Sequence, residues 1–274
     1  MKVEVIEPHG PCAWVNSTIS KALTLRNVYC LHALVHSDIV VDELRSLGFK
    51  FVERIEDVPR GETVVFSAHG VPPQVREVAA ARGLKVVDMT CPSVARVHSA
   101  AKRFSDRGLP VVVLGDRDHA EVKGIAGEVD TPPPRPGDRI GVVSQTTMNA
   151  DDVAAQIEEL RKTYTVEAMS GVCQATKERQ DAVRAFCAGH SSSPRNSLGV
   201  LVLGSASSAN ARRLAEIAAE CGAKAFMVGT MDELEALGLG GIEVLGVTSG
   251  ASTPERFLDA AVKALPCLPP CAVR

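Results

Sequence analysis

Short runs of β-branched residues alternate with amphipathic stretches of helical period along nearly the whole chain. The runs are KVEVI (2–6), TVVFSA (63–68), LKVVDM (84–89), PVVVLG (110–115), RIGVVS (139–144), LGVLVLG (198–204), KAFMVG (224–229) and IEVLGVT (242–248). Between them lie stretches such as DIVVDELRSLG, PPQVREVAAARG, DDVAAQIEELRKTY, KERQDAVRAFCAG and ARRLAEIAAECG. Strand then helix, repeated, restricts the chain to βαβ units and parallel sheet. The interior material agrees: 45% of residues are hydrophobic but only 4% are aromatic, so Val, Ala and Leu must fill the core. One continuous sheet and several small α/β modules both satisfy this pattern. TPPPRPGD (131–138) and GHSSSPRNSLG (189–199) break it and read as surface connections.

A formal charge of -3 excludes an electrostatic nucleic-acid binder. No apolar run reaches membrane-spanning length, and the opening MKVEVIEPHG reads as a short strand rather than a signal peptide. A cytoplasmic protein is the expectation.

Eight cysteines stand at 12, 30, 91, 173, 187, 221, 267 and 271, with no CxxC pair to suggest a zinc ribbon or a redox dithiol. Cys12, Cys91 and Cys173 are 79 and 82 residues apart, and each immediately precedes a helical pattern. A thiol at a helix N-terminus is stabilised as thiolate, the form that binds metal. Three quasi-equivalent modules, each aiming one thiolate at a common centre, would explain the spacing. Chance spacing of small hydrophobes is the alternative, and it is the preferred reading for Cys30, Cys187, Cys221, Cys267 and Cys271.

Ligands of open α/β sheets bind beyond the carboxyl ends of strands. Here those ends carry His36 (LVHS), His69 (FSAHG), Cys91 (DMTC), His119 and Glu121 (LGDRDHAE), Thr146 and Thr147 (VSQTT), Ser208 and Asn210 (LGSASSAN) and Ser252 (VTSGAS). The two Ser- and Gly-rich turns enter helices and suit phosphate, although Ser and Asn are equally ordinary N-caps. Glu121 is a proton-donor candidate if buried, and otherwise a helix-start carboxylate. LGLGG (237–241) precedes a strand instead of following one and is rejected as a dinucleotide loop.

EPHGPCA, VHSDIVVDELRSLG, VVFSAHGV, TCPSVARVH, HAEVKG, SQTT, CQATKERQDAV, GSASSAN and GVTSGASTP, in this order and spacing, resemble the LytB/IspH family of 4-hydroxy-3-methylbut-2-enyl diphosphate reductases. The resemblance spans residues 2 to about 265. It implies three small α/β modules with parallel sheets, arranged pseudo-threefold around a central iron–sulfur cluster. The expected modules are 1–90 with Cys12, His36 and His69; 91–172 with Cys91, His119, Glu121 and Thr146; and 173–274 with Cys173, Ser208, Asn210 and Ser252. By the resemblance, Cys12, Cys91 and Cys173 hold a [4Fe–4S] cluster with one iron left open for substrate. A ferredoxin or flavodoxin supplies electrons, Glu121 is the proton source, and Thr146 positions the departing hydroxyl. His119 serves both catalysis and binding. His36, His69, His119, Thr147, Ser208, Asn210 and Ser252 surround the substrate.

Departures from the family pattern cluster near these residues. The lone Trp14 replaces a Gly two positions after Cys12, and Ser37 replaces an Asn after His36. Asp116 replaces a His, Ala209 replaces a Ser, and Lys177 and Glu178 replace small polar residues. A ring at Trp14, added charge at Asp116 and a hydroxyl lost at Ala209 favour a paralogue. It would keep the cluster chemistry, removing OH or NH2 reductively from an aromatic or quinone-like molecule bound against Trp14. Ordinary reduction of the diphosphate is the alternative. A non-catalytic structural zinc protein is disfavoured, because closed zinc sites place their ligands in close pairs.

Overall fold

The structure is a computed structural model that describes residues 1–192 and 197–265. The tail cysteines Cys267 and Cys271 lie outside the described residues, as do residues 193–196 of the second connection. The elements run β1 (Lys2–Val5), α1 (Ala13–Ala22), β2 (Tyr29–Leu31), α2 (Asp38–Ser46), β3 (Lys50–Val52), β4 (Thr63–Phe66), α3 (Pro73–Ala81), β5 (Lys85–Asp88), α4 (Pro92–Asp106), β6 (Val111–Leu114) and α5 (Ala120–Ala126). They continue with β7 (Arg139–Ser144), α6 (Ala150–Arg161), β8 (Thr165–Met169), α7 (Gln174–Gly189), β9 (Leu198–Leu203), α8 (Ala209–Glu220), β10 (Lys224–Val228), α9 (Met231–Glu235), β11 (Val244–Ser249) and α10 (Glu255–Ala264). These strands form three sheets in which every pair is parallel. Within the described residues, no helix is long and apolar enough to cross a membrane.

Two compact units divide the chain. The first takes residues 1–16, 36–42 and everything from Gln174 onward, and holds the sheet β1-β11-β9-β10. Its central strand β9 is buried along its whole length, as a parallel strand covered on both faces must be. Val200 and Val202 pack with Val183, Leu214 and Ile217 on the α7–α8 face. Leu201 and Leu203 point the other way, into Phe257, Leu258 and Ala261 of α10. This is the two-residue period of a strand feeding two separate cores.

Strand β1 departs from the expected 1–90 module. It pairs with β11, from Lys2 against Val244 to Val5 against Val247, so it closes the C-terminal sheet. The pairing covers the free edge of β11, which would otherwise present a row of unpaired backbone groups.

The second unit takes residues 17–35 and 43–173 and holds two sheets, β3-β2-β4-β5 and β6-β7-β8. Leu31, Val64 and Phe66 meet Val71 and Ala79 over the first sheet. Val143 of β7 packs against Val97, Ala100 and Ala101 of α4 and Ile125 of α5, while Ile140 and Val142 meet Val153 of α6. Three strands are absent from the sequence runs: β2, an inner strand of three residues, and β3 and β8, which are both edge strands. Strand β3 is also three residues long and β8 reads TVEAM, too short or too polar to stand out.

Leu201 is fully buried in the central strand. Leu201→Ala is therefore expected to cost about 2–5 kcal/mol in urea unfolding. Val86→Thr, on the exposed edge strand β5, should stay within about 0.5 kcal/mol.

Candidate functional site

In the second unit, the carboxyl ends of β4, β6, β7 and β8 carry the expected residues. After β6 the chain turns at Asp116, and His119 caps α5: its Nδ1 accepts the Glu121 N–H at 3.2 Å. That bond assigns the tautomer, because an accepting Nδ1 leaves the proton on Nε2. The His69 ring stands edge-on to the His119 ring, 5.4 Å between centroids, and its Nδ1 lies 3.2 Å from Ser67 Oγ.

Glu121 is only 1% exposed, and the turn after β7 holds it. The Thr146 N–H donates to Oε1 at 2.7 Å and the Thr146 hydroxyl donates to Oε2 at 3.0 Å. Burial pushes the carboxyl up to about 7, prevailing over both Thr146 bonds, which lower it. Thr147 is half-buried and its hydroxyl accepts from Gln145 Nε2 at 2.9 Å. Gln145 Oε1 also accepts the Asp116 N–H, so one side chain ties the two turns together.

In the first unit, Ser208 caps α8 by accepting the Ala211 N–H at 3.3 Å, the ordinary N-cap role. Asn210 is different. It is buried, and among the described residues neither its side-chain oxygen nor its nitrogen has a hydrogen-bond partner. An orphaned buried amide is costly, and a polar ligand at this turn would relieve it. The Ser252 hydroxyl donates to the His36 carbonyl at 2.8 Å, which leaves its oxygen lone pairs as acceptors and fixes the backbone that carries half-buried His36.

Cys12, Cys91 and Cys173 are partly exposed, lie at helix starts and form no disulfide. The Cys12 carbonyl accepts from Asn16 at the start of α1, and Cys91 is the N-cap of α4 with Pro92 behind it. Cys173 directly precedes α7, and its N–H donates to the Thr146 carbonyl at 3.2 Å, next to the Glu121 pair. The segment reaches that position because Gly171 passes so close to Ser144 that a Cβ would lie 1.8 Å from the Ser144 carbonyl oxygen. By contrast Cys30 and Cys187 are buried, and burial pushes their thiols up to about 12 and about 11. Cys221 corrects the buried-hydrophobe expectation: it is exposed, at the C-cap of α8.

Two departures acquire a local account. Asp116 Oδ1 accepts the Asp118 N–H at 3.0 Å, which makes the carboxylate part of a turn. Trp14 is 38% exposed on the first turn of α1, so its ring is not packed in the core. The changes at Ser37, Lys177 and Glu178 alter no contact that explains a change of chemistry.

Sequence reasoning missed Arg179 and Ser249. The Gly10 N–H donates to Ser249 Oγ at 2.8 Å. Buried Arg179 donates to the carbonyls of Gly10 at 2.7 Å, His9 at 3.3 Å and Ala175 at 2.8 Å. One guanidinium thus holds the loop before Cys12 and the first turn of α7, which follows Cys173. An arginine inside a helical pattern carries no sign of such a role, because carbonyl partners have no sequence signature.

The sequence pattern of the LytB protein family matches residues 3–266. A 4-hydroxy-3-methylbut-2-enyl diphosphate reductase of Tolumonas auensis is 36% identical over 291 residues, covering 97% of this chain and 91% of that protein. Another, from Mycobacterium sp. (strain KMS), is 39% identical over 276 residues, covering 93% and 81%. The solved structure of the E-1-hydroxy-2-methyl-but-2-enyl-4-diphosphate reductase from Plasmodium falciparum superposes with a TM-score of 0.86 at 29% identity, over 96% of this chain and 87% of that one.

Replacing Arg179 with Met takes the side-chain donor from the His9 and Gly10 carbonyls, while the Ala175 carbonyl keeps its helical N–H, and is expected to cost about 3 kcal/mol in denaturant unfolding of the metal-free protein. Arg179→Lys should recover only part of this, since an ammonium lacks the planar fork.

Proposed function

Because the chain belongs to the LytB family, we propose that it reduces 4-hydroxy-3-methylbut-2-enyl diphosphate to isopentenyl and dimethylallyl diphosphates. In that reaction an allylic C–O bond breaks and two electrons enter. One proton goes to carbon, and the hydroxyl leaves with another as water. The observation that carries the reading is the buried Glu121 carboxyl, held by Thr146 and raised to about 7, which keeps a transferable proton near neutrality. When Oε2 is protonated, its hydrogen bond with Thr146 runs the other way. The Thr146 hydroxyl is then turned outward, free to donate to a departing oxygen.

Cys12, Cys91 and Cys173 would hold a [4Fe–4S] cluster, and the donor set fits: three accessible thiols at helix N-termini, beside two cysteines whose thiols burial keeps protonated. Bound there, the cluster would supply the electrons for the reduction. A ferredoxin or flavodoxin would deliver the electrons. His119, His36, His69, Thr147, Ser208 and Asn210 would be the diphosphate's partners, and Ser252, whose proton goes to the His36 carbonyl, would hold the backbone that carries His36.

The expected aromatic or quinone-like substrate finds no support. Asp116 is occupied in a turn, and the relatives carry the diphosphate reductase name.

The test is anaerobic reconstitution with iron and sulfide, then a chemical reductant and the diphosphate alcohol. Both isoprenoid diphosphates should form, at turnover of roughly 1 per second or faster. A brown protein that leaves the alcohol untouched, or a colourless one containing only zinc, would overturn the reading. Glu121→Gln should lower kcat about 10²- to 10⁴-fold with the iron content kept. The protonated acid is the active form, so kcat should fall as pH rises through about 7. The same shift makes Glu121 stabilising below its unfolded pKa, a contribution lost as pH rises through about 7.

A further inference from the structure

We propose that His98 is a positioning residue that sets the spacing between the turn bearing His69 and the helix start bearing His119 and Glu121. The roles of those three residues rest on the function proposed above; the geometry does not. His98 is buried on α4, about two turns beyond Cys91. Its Nδ1 lies 2.9 Å from Glu128 Oε1. A carboxylate only accepts, so Nδ1–H donates, and this bond sets the rotation of the ring about its own axis. The opposite edge then points at two backbones. A Cβ at Gly70 would lie 2.9 Å from His98 Nε2, and one at Gly124 would lie 3.1 Å from Cε1 and 3.7 Å from the Gly70 carbonyl carbon.

Gly70 directly follows His69 and has a φ of +75°, and Gly124 is three residues beyond Glu121 on α5. The imidazole edge is therefore seated against two main chains, each within a few residues of a proposed substrate contact. Those contacts meet as the edge-on pair of His69 and His119.

Apolar packing does not account for this choice of side chain. Nε2 is buried with no hydrogen-bond partner among the described residues, a cost that a leucine would avoid. What the imidazole supplies is a flat edge at a rotation fixed by Glu128. The three segments that meet here close three of the sequence motifs, VVFSAHGV, TCPSVARVH and HAEVKG.

The test uses anaerobic, cluster-loaded protein and inorganic pyrophosphate as the probe, with binding followed by calorimetry. His98→Leu keeps an apolar filling but loses the pin. It should weaken pyrophosphate binding about tenfold and raise KM more than it lowers kcat, because small misplacements of positioning groups have large effects. His98→Asn places an amide N–H near the position of Nδ1 and should restore most of the affinity. Glu128→Gln, which leaves the ring in place, should weaken binding about threefold and serves if His98→Leu does not fold. Val153→Ala, a cavity on the other face of β7, is the control for lost stability alone and should bind pyrophosphate as the wild type does. Wild-type affinity in both His98→Leu and Glu128→Gln, or equal weakening in Val153→Ala, overturns the proposal, as does a wild type that does not bind pyrophosphate. A wild type that binds pyrophosphate but leaves the diphosphate alcohol unchanged fails the proposed function while the positioning role stands.

Discussion

Parallel pairing obliges every strand of a sheet to end on the same side, and there the backbone runs out of ladder partners. The residues that follow must find other hydrogen bonds, and the chain supplies them from side chains. Ser249 takes the Gly10 N–H, Glu121 takes the Thr146 N–H, and Gln145 takes the Asp116 N–H. The helices entered from these ends bring unpaired N–H groups of their own. Ser208, His119 and Asn149 satisfy some of them. Cys91 makes no side-chain cap bond at the start of α4, where the helix dipole favours the thiolate.

Burial then separates the groups that end up at these positions. Cys30 and Cys187 are removed from water without a charged partner, and their thiols rise out of the range where a thiolate forms near neutrality. Glu121 is equally dry, yet two bonds from one threonine limit its rise to about 7. Desolvation alone would give a permanently protonated acid, and the hydrogen bonds alone a permanent carboxylate. The opposition between them yields a group that changes state near neutral pH.

Strand alternation, the carboxyl-end residues and the helix-start cysteines were legible in the sequence because each rests on local pattern: a two-residue period, a turn entering a helix, a cap position. What was not legible depends on partners far away in the chain. Strand β1 finds β11 more than 200 residues on, and KVEV contains nothing that selects it. Arg179 and His98 sit inside helical patterns where an Arg or a His is unremarked, and their work is done on backbone carbonyls and glycine main chains. Rarity drew attention to Trp14, but a lone aromatic on a helix has no preferred side until the packing is known.

The turn before α8 shows why an anionic ligand suits this chain better than a flat apolar one. Ser208 uses its oxygen as a cap, and loss of a hydroxyl at Ala209 removes one potential donor from the same turn. Asn210 keeps both side-chain atoms buried and unpartnered among the described residues. A planar aromatic ligand would cover that amide and leave it unpaired, which is the expensive outcome. A phosphate oxygen would accept from the amide nitrogen and leave the smaller debt of one carbonyl. The amide of Asn210, rather than the residue at 209, is therefore the group at this turn that favours a polar ligand over a flat apolar one.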